Sequence, residues 1–227
     1  MAKVKSLPLL PARVAHSRLV QNPAVLLAIN WWFQGLRGMG RREASFRLGS
    51  EALLLAAATA LLQAAGVAMP SALALAALTV HSLYFACFGQ LWVCARYAAC
   101  WSRDPGVVAD FTRRLLRELR ARQDLEEVVI IGSLGRRGLC PGPRSDVDLR
   151  LVFPPGTRAW LVVNLLLMRL RFRAFRAAIP LDLYAYDDIE ALARFDPAEP
   201  WLVVLDRRGR IHARFAATRR LLPWPEK

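Results

Sequence analysis

The sequence predicts an α+β fold, in which a small mixed β-sheet domain with flanking helices follows a two-helix transmembrane hairpin. No Asp, Glu, Lys or Arg stands between Glu51 and Arg96, and this stretch is long enough for two spans of about 20 residues each. Beyond it, short apolar runs alternate with turn residues and longer helical patterns, which is typical of strands packed against helices. We expect a basic N-terminal segment over residues 1–48, the hairpin over 49–96 and the sheet domain over 104–227.

The composition of the chain points to a membrane or to an anionic partner. Of its 227 residues 55% are hydrophobic, and 32 Lys and Arg against 18 Asp and Glu give a net charge of +14. This combination favours either a membrane-attached protein with a basic cytoplasmic portion or a nucleic-acid-binding protein. The four cysteines form no close Cys-x-x-Cys pair, so we expect neither a zinc site nor a disulfide framework. No apolar run with a small-residue cleavage site follows the N-terminus, so no signal peptide is expected.

The N-terminal segment contains a short apolar island over residues 23–36, with Trp31, Trp32 and Phe33 near its end. The island is too short to span a bilayer. Adjacent tryptophans among arginines are typical of the lipid headgroup region, where an amphipathic ring is stable. The alternative is an ordinary helix packed on the rest of the protein.

The uncharged stretch predicts two transmembrane helices, roughly over residues 50–69 and 71–95, with Pro70 at the turn or at the start of the second helix. Its many alanines permit close helix contact. The alternative, an Ala-rich hairpin buried in a soluble core, is disfavoured because a soluble helix needs a solvated face. His81 and Gln90 lie in the second span, and we expect them to form hydrogen bonds across the pair rather than a functional site.

The charges that flank the hairpin predict its orientation. The turn carries no Lys or Arg, whereas arginines precede the first span and follow the second one, beginning at Arg96. The positive-inside rule therefore places both termini and the sheet domain in the cytoplasm, as in a multi-pass membrane protein.

The sheet domain begins with Asp104 and Pro105 as the N-cap and first residue of an amphipathic helix. Arginines occupy the outer side of this helix, which is either a solvated face or a surface for anionic lipid. Apolar runs and turn residues then predict, in order, a strand over 125–131, a helix over 158–179, a strand over 181–186, a strand over 201–205, a turn over 206–209 and a return strand over 210–213.

Two aspartates enter the second strand of this domain, in the sequence Asp146-Val147-Asp148. Residues i and i+2 of a strand point to one face, so we expect Asp146 and Asp148 to project together. Two carboxylates so close raise each other's pKa, and a divalent metal with oxygen ligands would stabilise both. Upstream, Gly132 allows backbone N–H groups to approach an anion closely. The alternative is a solvent-facing pair on an edge strand.

An ordered set of motifs resembles the polymerase-beta-type nucleotidyltransferase superfamily, particularly its minimal stand-alone domains. The set comprises Gly132-Ser133, an arginine-bearing loop, Asp146-x-Asp148 on a strand, a helix, and Asp182 on a later strand. The resemblance covers roughly residues 105–213 and excludes the hairpin. It implies that Asp146, Asp148 and Asp182 are catalytic and hold Mg²⁺ or Mn²⁺.

The resemblance also implies a nucleotide site and a reaction. Gly132 and Ser133 would bind the β- and γ-phosphates of a nucleoside triphosphate, and Arg136 or Arg137 would neutralise the leaving pyrophosphate. The expected reaction transfers a nucleoside monophosphate to an acceptor hydroxyl by a two-metal mechanism. The chain departs from the pattern at Arg150, which could pair with one of the aspartates and weaken metal binding.

Two functions are therefore open. The first is a membrane-anchored nucleotidyltransferase, whose partners are a nucleoside triphosphate, membrane lipid and an unidentified acceptor. The second is an inactive membrane adaptor that binds nucleic acid or anionic lipid through its basic surface. An anchored DNA polymerase is disfavoured, because the chain leaves no room for a thumb or fingers region. Only the enzyme requires Asp146, Asp148 and Asp182 to converge.

Overall fold

The structure is a computed structural model that describes residues 22–34, 36–88, 90–98, 100–136 and 139–224, together with Ser17 and Leu19. Its α-helices are α1 (Pro23–Phe33), α2 (Arg41–Ala64), α3 (Met69–Cys87), α4 (Gln90–Ala95), α5 (Pro105–Ala121), α6 (Gly132–Arg136), α7 (Thr157–Arg176) and α8 (Arg210–Phe215). Two 3₁₀ helices cover Leu36–Gly38 and Ile189–Arg194. The strands are β1 (Glu127–Ile131), β2 (Val147–Val152), β3 (Leu181–Tyr186), β4 (Trp201–Asp206) and β5 (Leu221–Pro223).

The strands form one mixed sheet in the order β3-β2-β1-β4-β5. The central strand β1 is antiparallel to β2 and β4, whereas β2 with β3 and β4 with β5 are parallel. Parallel neighbours need a long crossover, and α7 supplies it between β2 and β3. One sheet face, which includes Leu149 and Leu183, packs under α5 and α7. The other, which includes Val129, Tyr184 and Trp201, is covered by α8, the second 3₁₀ helix and residues near Met39.

The amphipathic helix predicted after Asp104 is confirmed. The Asp104 carboxylate accepts a hydrogen bond of 3.0 Å from the Gly106 backbone N–H, which satisfies a donor that the helix itself leaves unpaired. Leu115, Leu116 and Leu119 are fully buried, while the arginines lie on the outer side. Helix α5 therefore covers one face of the sheet and presents a basic surface on the other side.

The hairpin is shifted toward the N-terminus relative to the predicted spans of 50–69 and 71–95. Helix α2 starts at Arg41 because its first turns pack on the sheet domain. It ends before Gly66, whose φ of +83° is the left-handed conformation that terminates helices. As predicted, Pro70 lies in the first turn of α3. Helix α3 ends at Cys87, and α4 is a separate short helix. The side chain of Gln90 lies outside the described part of the structure.

Helices α2 and α3 are long and apolar enough to cross a membrane, with mean hydropathies of 1.3 and 1.4 over their most apolar windows. At about 1.5 Å per residue, they measure about 36 and 28 Å. Only 11% and 28% of the residues in those windows are buried, whereas a core helix of a soluble protein is mostly buried. The exposed residues are large and apolar, as Leu53 and Leu61 illustrate at 71% and 72% exposure.

The base of the hairpin packs on the sheet domain through a buried ion pair. Glu43 of α2 pairs with Arg171 of α7 and accepts a hydrogen bond of 2.9 Å from the Ala185 backbone N–H of the edge strand β3. Both side chains are almost fully buried. Nearby, Trp160 Nε1 donates to the Arg42 carbonyl at 2.7 Å. The apolar helices and the sheet therefore share one interface.

The predicted return strand over 210–213 is wrong, because this segment forms helix α8. The Asp206 carboxylate accepts hydrogen bonds from the backbone N–H groups of Ile211 and His212, each at 3.2 Å, and these caps favour a helix start. Phe215 then packs against Trp201 with ring centroids 5.0 Å apart. The following strand β5 is a further difference, since no strand was predicted there.

The Glu43–Arg171 pair generates a stability prediction. Glu43→Gln leaves the Arg171 guanidinium buried without its countercharge, which typically costs about 3–5 kcal/mol. We expect the unfolding temperature to fall by about 10 °C, since 1 kcal/mol corresponds to about 2–4 °C for a chain of this size. Thermal unfolding in detergent, followed by circular dichroism, measures the shift.

The matched control is Asp110→Asn, which removes a carboxylate from the exposed pair between Asp110 and Arg113. Exposed pairs contribute about 0–1 kcal/mol, so this variant should unfold close to the wild-type temperature. Equal shifts in the two variants would show that the buried pair has no special role.

Candidate active site

Two of the three predicted carboxylates lie directly opposite one another. Asp148 and Asp182 are the second residues of the parallel strands β2 and β3, and the register pairs one with the other. Since Leu149 and Leu183 face the core beneath α5 and α7, the two aspartates share the opposite face of the sheet. The convergence of Asp148 and Asp182 is therefore present in the structure.

Asp146 reaches the same cluster by a different route from the predicted one. Strand β2 begins at Val147, whose N–H donates to the Pro180 carbonyl at 2.8 Å, so Asp146 precedes the strand rather than lying on its pleat. Its carboxylate is buried and forms an ion pair with Arg96, the first charged residue after the hairpin. The predicted placement of Asp146 on the strand is thus wrong by one residue, because pairing with β3 starts only at Val147.

Gly132 and Ser133 stand next to the aspartates. Ile131, at the end of β1, pairs with Asp148, and Gly132 follows with a φ of +75°. A Cβ atom on Gly132 would overlap Asp148 Oδ2, so both the conformation and the contact require glycine. Ser133 lies in the first turn of α6, and its Oγ is buried without a hydrogen-bond partner among the described residues. An unsatisfied buried hydroxyl is costly and is therefore available to a ligand.

Arg150 forms an ion pair with the carboxylate of Asp182. Its Nη2 lies 2.9 Å from Asp182 Oδ2, and its Nη1 donates to the Asp182 carbonyl at 2.8 Å. The guanidinium carbon lies 4.9 and 5.1 Å from the ring centroids of Tyr184 and Phe195. The predicted pairing of Arg150 with one of the aspartates is confirmed.

Arg96 and Tyr97 are members of the site that the sequence analysis missed. Arg96 is buried on Asp146, and one of its guanidinium nitrogens, Nη1, has no hydrogen-bond partner among the described residues. Burial raises the pKa of the neighbouring Tyr97 phenol to about 12, so the phenol is protonated at neutral pH. The only signal in the sequence was the position of Arg96 at the end of the uncharged stretch, which also suits an orientation signal.

The Asp148 carboxylate interacts with the four other charged groups of the cluster, those of Asp146, Asp182, Arg150 and Arg96. Burial raises its pKa, and the carboxylates of Asp146 and Asp182 raise it further, whereas Arg150 and Arg96 only partly compensate. The net result is a pKa well above that of an ordinary aspartate. Within the described part of the chain, no ion pair or side-chain hydrogen bond satisfies its carboxylate. Asp148 is therefore set to gain a proton or to meet a cation.

The cluster fits a divalent cation only in part. Among the described residues, no group of three or more His, Cys, Asp or Glu has an arrangement that could hold a metal ion. In addition, Asp146 and Asp182 form ion pairs with Arg96 and Arg150. Asp148 suits a cation as it stands, whereas the other two suit one only after their arginines release them.

Arg136, one of the two predicted phosphate-binding arginines, forms no ion pair with the three aspartates. Arg136 ends the short helix that begins at Gly132, and its exposed guanidinium pairs with Glu199 at 3.8 Å. Arg137 lies outside the described residues. The structure therefore brings Arg136 to the rim of the glycine turn without an ion pair to the aspartates.

The chain matches no protein-family model, and neither a curated protein nor a solved structure is detectably similar to it. We therefore infer the function of the chain from the residues of the site and their chemistry.

The raised pKa of Asp148 generates a pH-dependent prediction. In the unfolded chain an aspartate has a pKa of about 3.9, so between that pH and the higher folded pKa the folded state binds the extra proton. The free energy of unfolding therefore decreases as the pH rises through this window. Asp148→Asn removes the penalty, and we expect the variant to unfold a few degrees above wild type at pH 8, since each kcal/mol corresponds to about 2–4 °C.

The difference between the two proteins should shrink toward zero below about pH 3, where both states of the wild type bind the proton. Asp110→Asn serves again as the control, because Asp110 is exposed on α5. A variant that is less stable than wild type at pH 8 would contradict the buried, uncompensated charge.

Proposed function

We propose that this protein is a membrane-anchored nucleotidyltransferase, which transfers a nucleoside monophosphate from a nucleoside triphosphate to an acceptor hydroxyl. The observation that supports this most strongly is the pairing of Asp148 with Asp182 beside Gly132. Carboxylates concentrated next to a glycine turn favour cations and phosphate oxygens together. The order of these motifs along the chain is the order expected from the superfamily that the sequence resembles.

Each residue of the site has a role in this proposal. Asp146, Asp148 and Asp182 would hold Mg²⁺ or Mn²⁺, which when bound would neutralise triphosphate charge and stabilise the attacking and leaving oxygens. Ser133 Oγ would donate a hydrogen bond to a phosphate oxygen. The guanidinium of Arg136 would face the charge of the leaving pyrophosphate, a role that Arg137 could share.

Arg96 and Arg150 act in the proposal as internal countercharges. They neutralise Asp146 and Asp182 in the free protein and must release these carboxylates when cations enter. A released guanidinium would remain beside the triphosphate, where a fork of N–H donors suits phosphate oxygens. One such donor is Nη1 of Arg96, which has no hydrogen-bond partner in the described part of the chain.

The proposed setting is the cytoplasmic face of a membrane. Helices α2 and α3 would cross the bilayer, with both termini and the sheet domain in the cytoplasm, because arginines lie at the base of the hairpin and its turn over residues 65–68 carries no charge. Attachment to the bilayer raises the effective concentration of a membrane-bound acceptor.

One observation favours the second function, an inactive membrane adaptor. Two of the three carboxylates already have buried arginine partners, as expected of a site that no longer binds metal. The outer side of α5 would then bind anionic lipid or nucleic acid through Arg113, Arg114 and Arg117. Only the first function requires nucleotide chemistry.

Activity separates the two functions. The purified protein, in lipid nanodiscs with Mg²⁺ or Mn²⁺, is incubated with each of the four nucleoside triphosphates labelled at the α-phosphate and with a native membrane extract. We expect a labelled product from wild type and at least about 100-fold less from Asp148→Asn and Asp182→Asn, since each ligand supplies several kcal/mol of charge stabilisation. Asp110→Asn should retain wild-type activity.

The adaptor would behave differently in the same experiment. It would label nothing with any nucleotide, and Asp148→Ala would bind nucleoside triphosphates as wild type does. That pair of results would exclude the proposed transferase.

Topology is tested by a cysteine at the turn of the hairpin. In intact cells, Ala65→Cys should react with a membrane-impermeant maleimide, because residue 65 would face the side opposite the cytoplasm. Two native cysteines are exposed, Cys100 at the junction of the hairpin with the sheet domain and Cys140 within the sheet domain. Both should react only after permeabilisation and so provide an internal control. Labelling of Cys140 in intact cells would contradict the proposed orientation.

A further inference from the structure

A groove of about 470 Å³ lies between α1, α2 and α3, within the range of small-molecule sites. Most of its lining is apolar and consists of Trp31, Trp32, Leu55, Ala77, Leu78 and Val80. Among the described lining residues, the two polar ones are Glu51 and His81. The groove is distinct from the aspartate cluster, with which it shares no lining residue.

Glu51 and His81 form a hydrogen-bonded pair across the two long helices. His81 Nδ1 lies 2.7 Å from Glu51 Oε1, and Nε2 lies 2.8 Å from the Trp31 carbonyl. The predicted bonding of His81 across the helix pair is thus confirmed. A carbonyl oxygen can only accept a hydrogen bond, so Nε2 of His81 carries a proton. The hydrogen bond between Nδ1 and the Glu51 carboxylate requires a second proton, which lies between these two atoms. The pair therefore has no net charge, and Glu51 Oε2 remains as an acceptor.

The groove lies where the charged part of α2 is followed by its uncharged part. Glu51 is the last charged residue before the uncharged stretch, and the exposed Trp32 lies beside it, as tryptophans do at the headgroup level. Among the described residues, the lining contains no Lys or Arg, so these residues offer no countercharge to a phosphate group. A suitable occupant has an apolar chain and an uncharged hydrogen-bond donor at one end.

We propose that this groove binds a lipid alcohol, a membrane lipid whose chain ends in a free hydroxyl. The chain would lie along Leu55 and Leu78, and the hydroxyl would donate a hydrogen bond to Glu51 Oε2. The inference goes beyond the proposed transferase and does not depend on it, because the binding experiment involves no nucleotide.

Quenching of tryptophan fluorescence tests the proposal. The full chain in phosphatidylcholine nanodiscs is titrated with 9,10-dibromostearyl alcohol, whose bromine atoms quench nearby rings. The methyl ester of the corresponding dibrominated acid has the same chain without a donor. We expect saturable quenching by the alcohol, at least tenfold tighter than by the ester, since a hydrogen bond to a charged or charge-sharing acceptor is worth about a factor of ten or more. Trp32→Phe should lower the saturable signal and leave the part that comes from Trp31, the other tryptophan of the lining.

Two variants separate binding at the Glu51–His81 pair from general contact with lipid. Glu51→Gln should weaken binding of the alcohol at least about tenfold and leave the ester unchanged, whereas Glu190→Gln, an identical change outside the groove, should have no effect. Ala77→Phe places a ring in the groove from an exposed helix position. It should abolish saturable quenching without lowering the unfolding temperature. This variant therefore tests the groove even if Glu51→Gln folds poorly.

Three outcomes would overturn the proposal. Equal quenching by alcohol and ester would mean that apolar chains alone fill the groove. Unchanged alcohol binding in Glu51→Gln would exclude the carboxylate as the acceptor. Absence of saturable quenching by either probe in wild type would exclude the site.

Discussion

The parallel pairing of β2 with β3 is the constraint on which the rest of the site depends. It places Asp148 opposite Asp182 at the same end of the sheet, and like charges this close need compensation. Arg150 compensates Asp182 and Arg96 compensates Asp146. Three carboxylates against two guanidinium groups leave one negative charge, which adds to the effect of burial in raising the pKa of Asp148.

The apolar helices take part in building this site. Glu43 of α2 binds the backbone of β3, the strand that carries Asp182. Arg96 follows α4 and holds Asp146. Trp92 of the same short helix donates a hydrogen bond of 2.9 Å to the carbonyl of Phe175 in α7. Any motion of the hairpin relative to the sheet would therefore reach the carboxylates through buried ionic contacts, which are costly to break.

Several arginines of this strongly basic chain stabilise the fold from buried or ring-stacked positions. Arg150 is buried between aromatic rings, Arg171 is buried on Glu43, and the guanidinium of Arg219 lies 4.3 Å from the ring centroid of Trp201. Guanidinium groups suit such places because they stack on rings and form several hydrogen bonds at once. The net charge of +14 therefore overstates the charge available to an anionic partner on the surface.

The sequence by itself determined the elements whose signals are local. Periodicity and capping residues predicted α5, and alternation and breakers predicted most of the strands. Absence of charge predicted the hairpin, and the order of the motifs, through the resemblance that they carry, implied that Asp146, Asp148 and Asp182 would converge. Only the tertiary structure decided the order of the strands, the parallel strand β5, the helix α8 in place of a strand, and the placement of Asp146 just outside β2. It alone also revealed that Arg96 belongs to the site. Apart from α8, whose start depends on the nearby Asp206, these features arise from contacts between residues far apart in the chain, such as Arg96 with Asp146, and no local pattern encodes them.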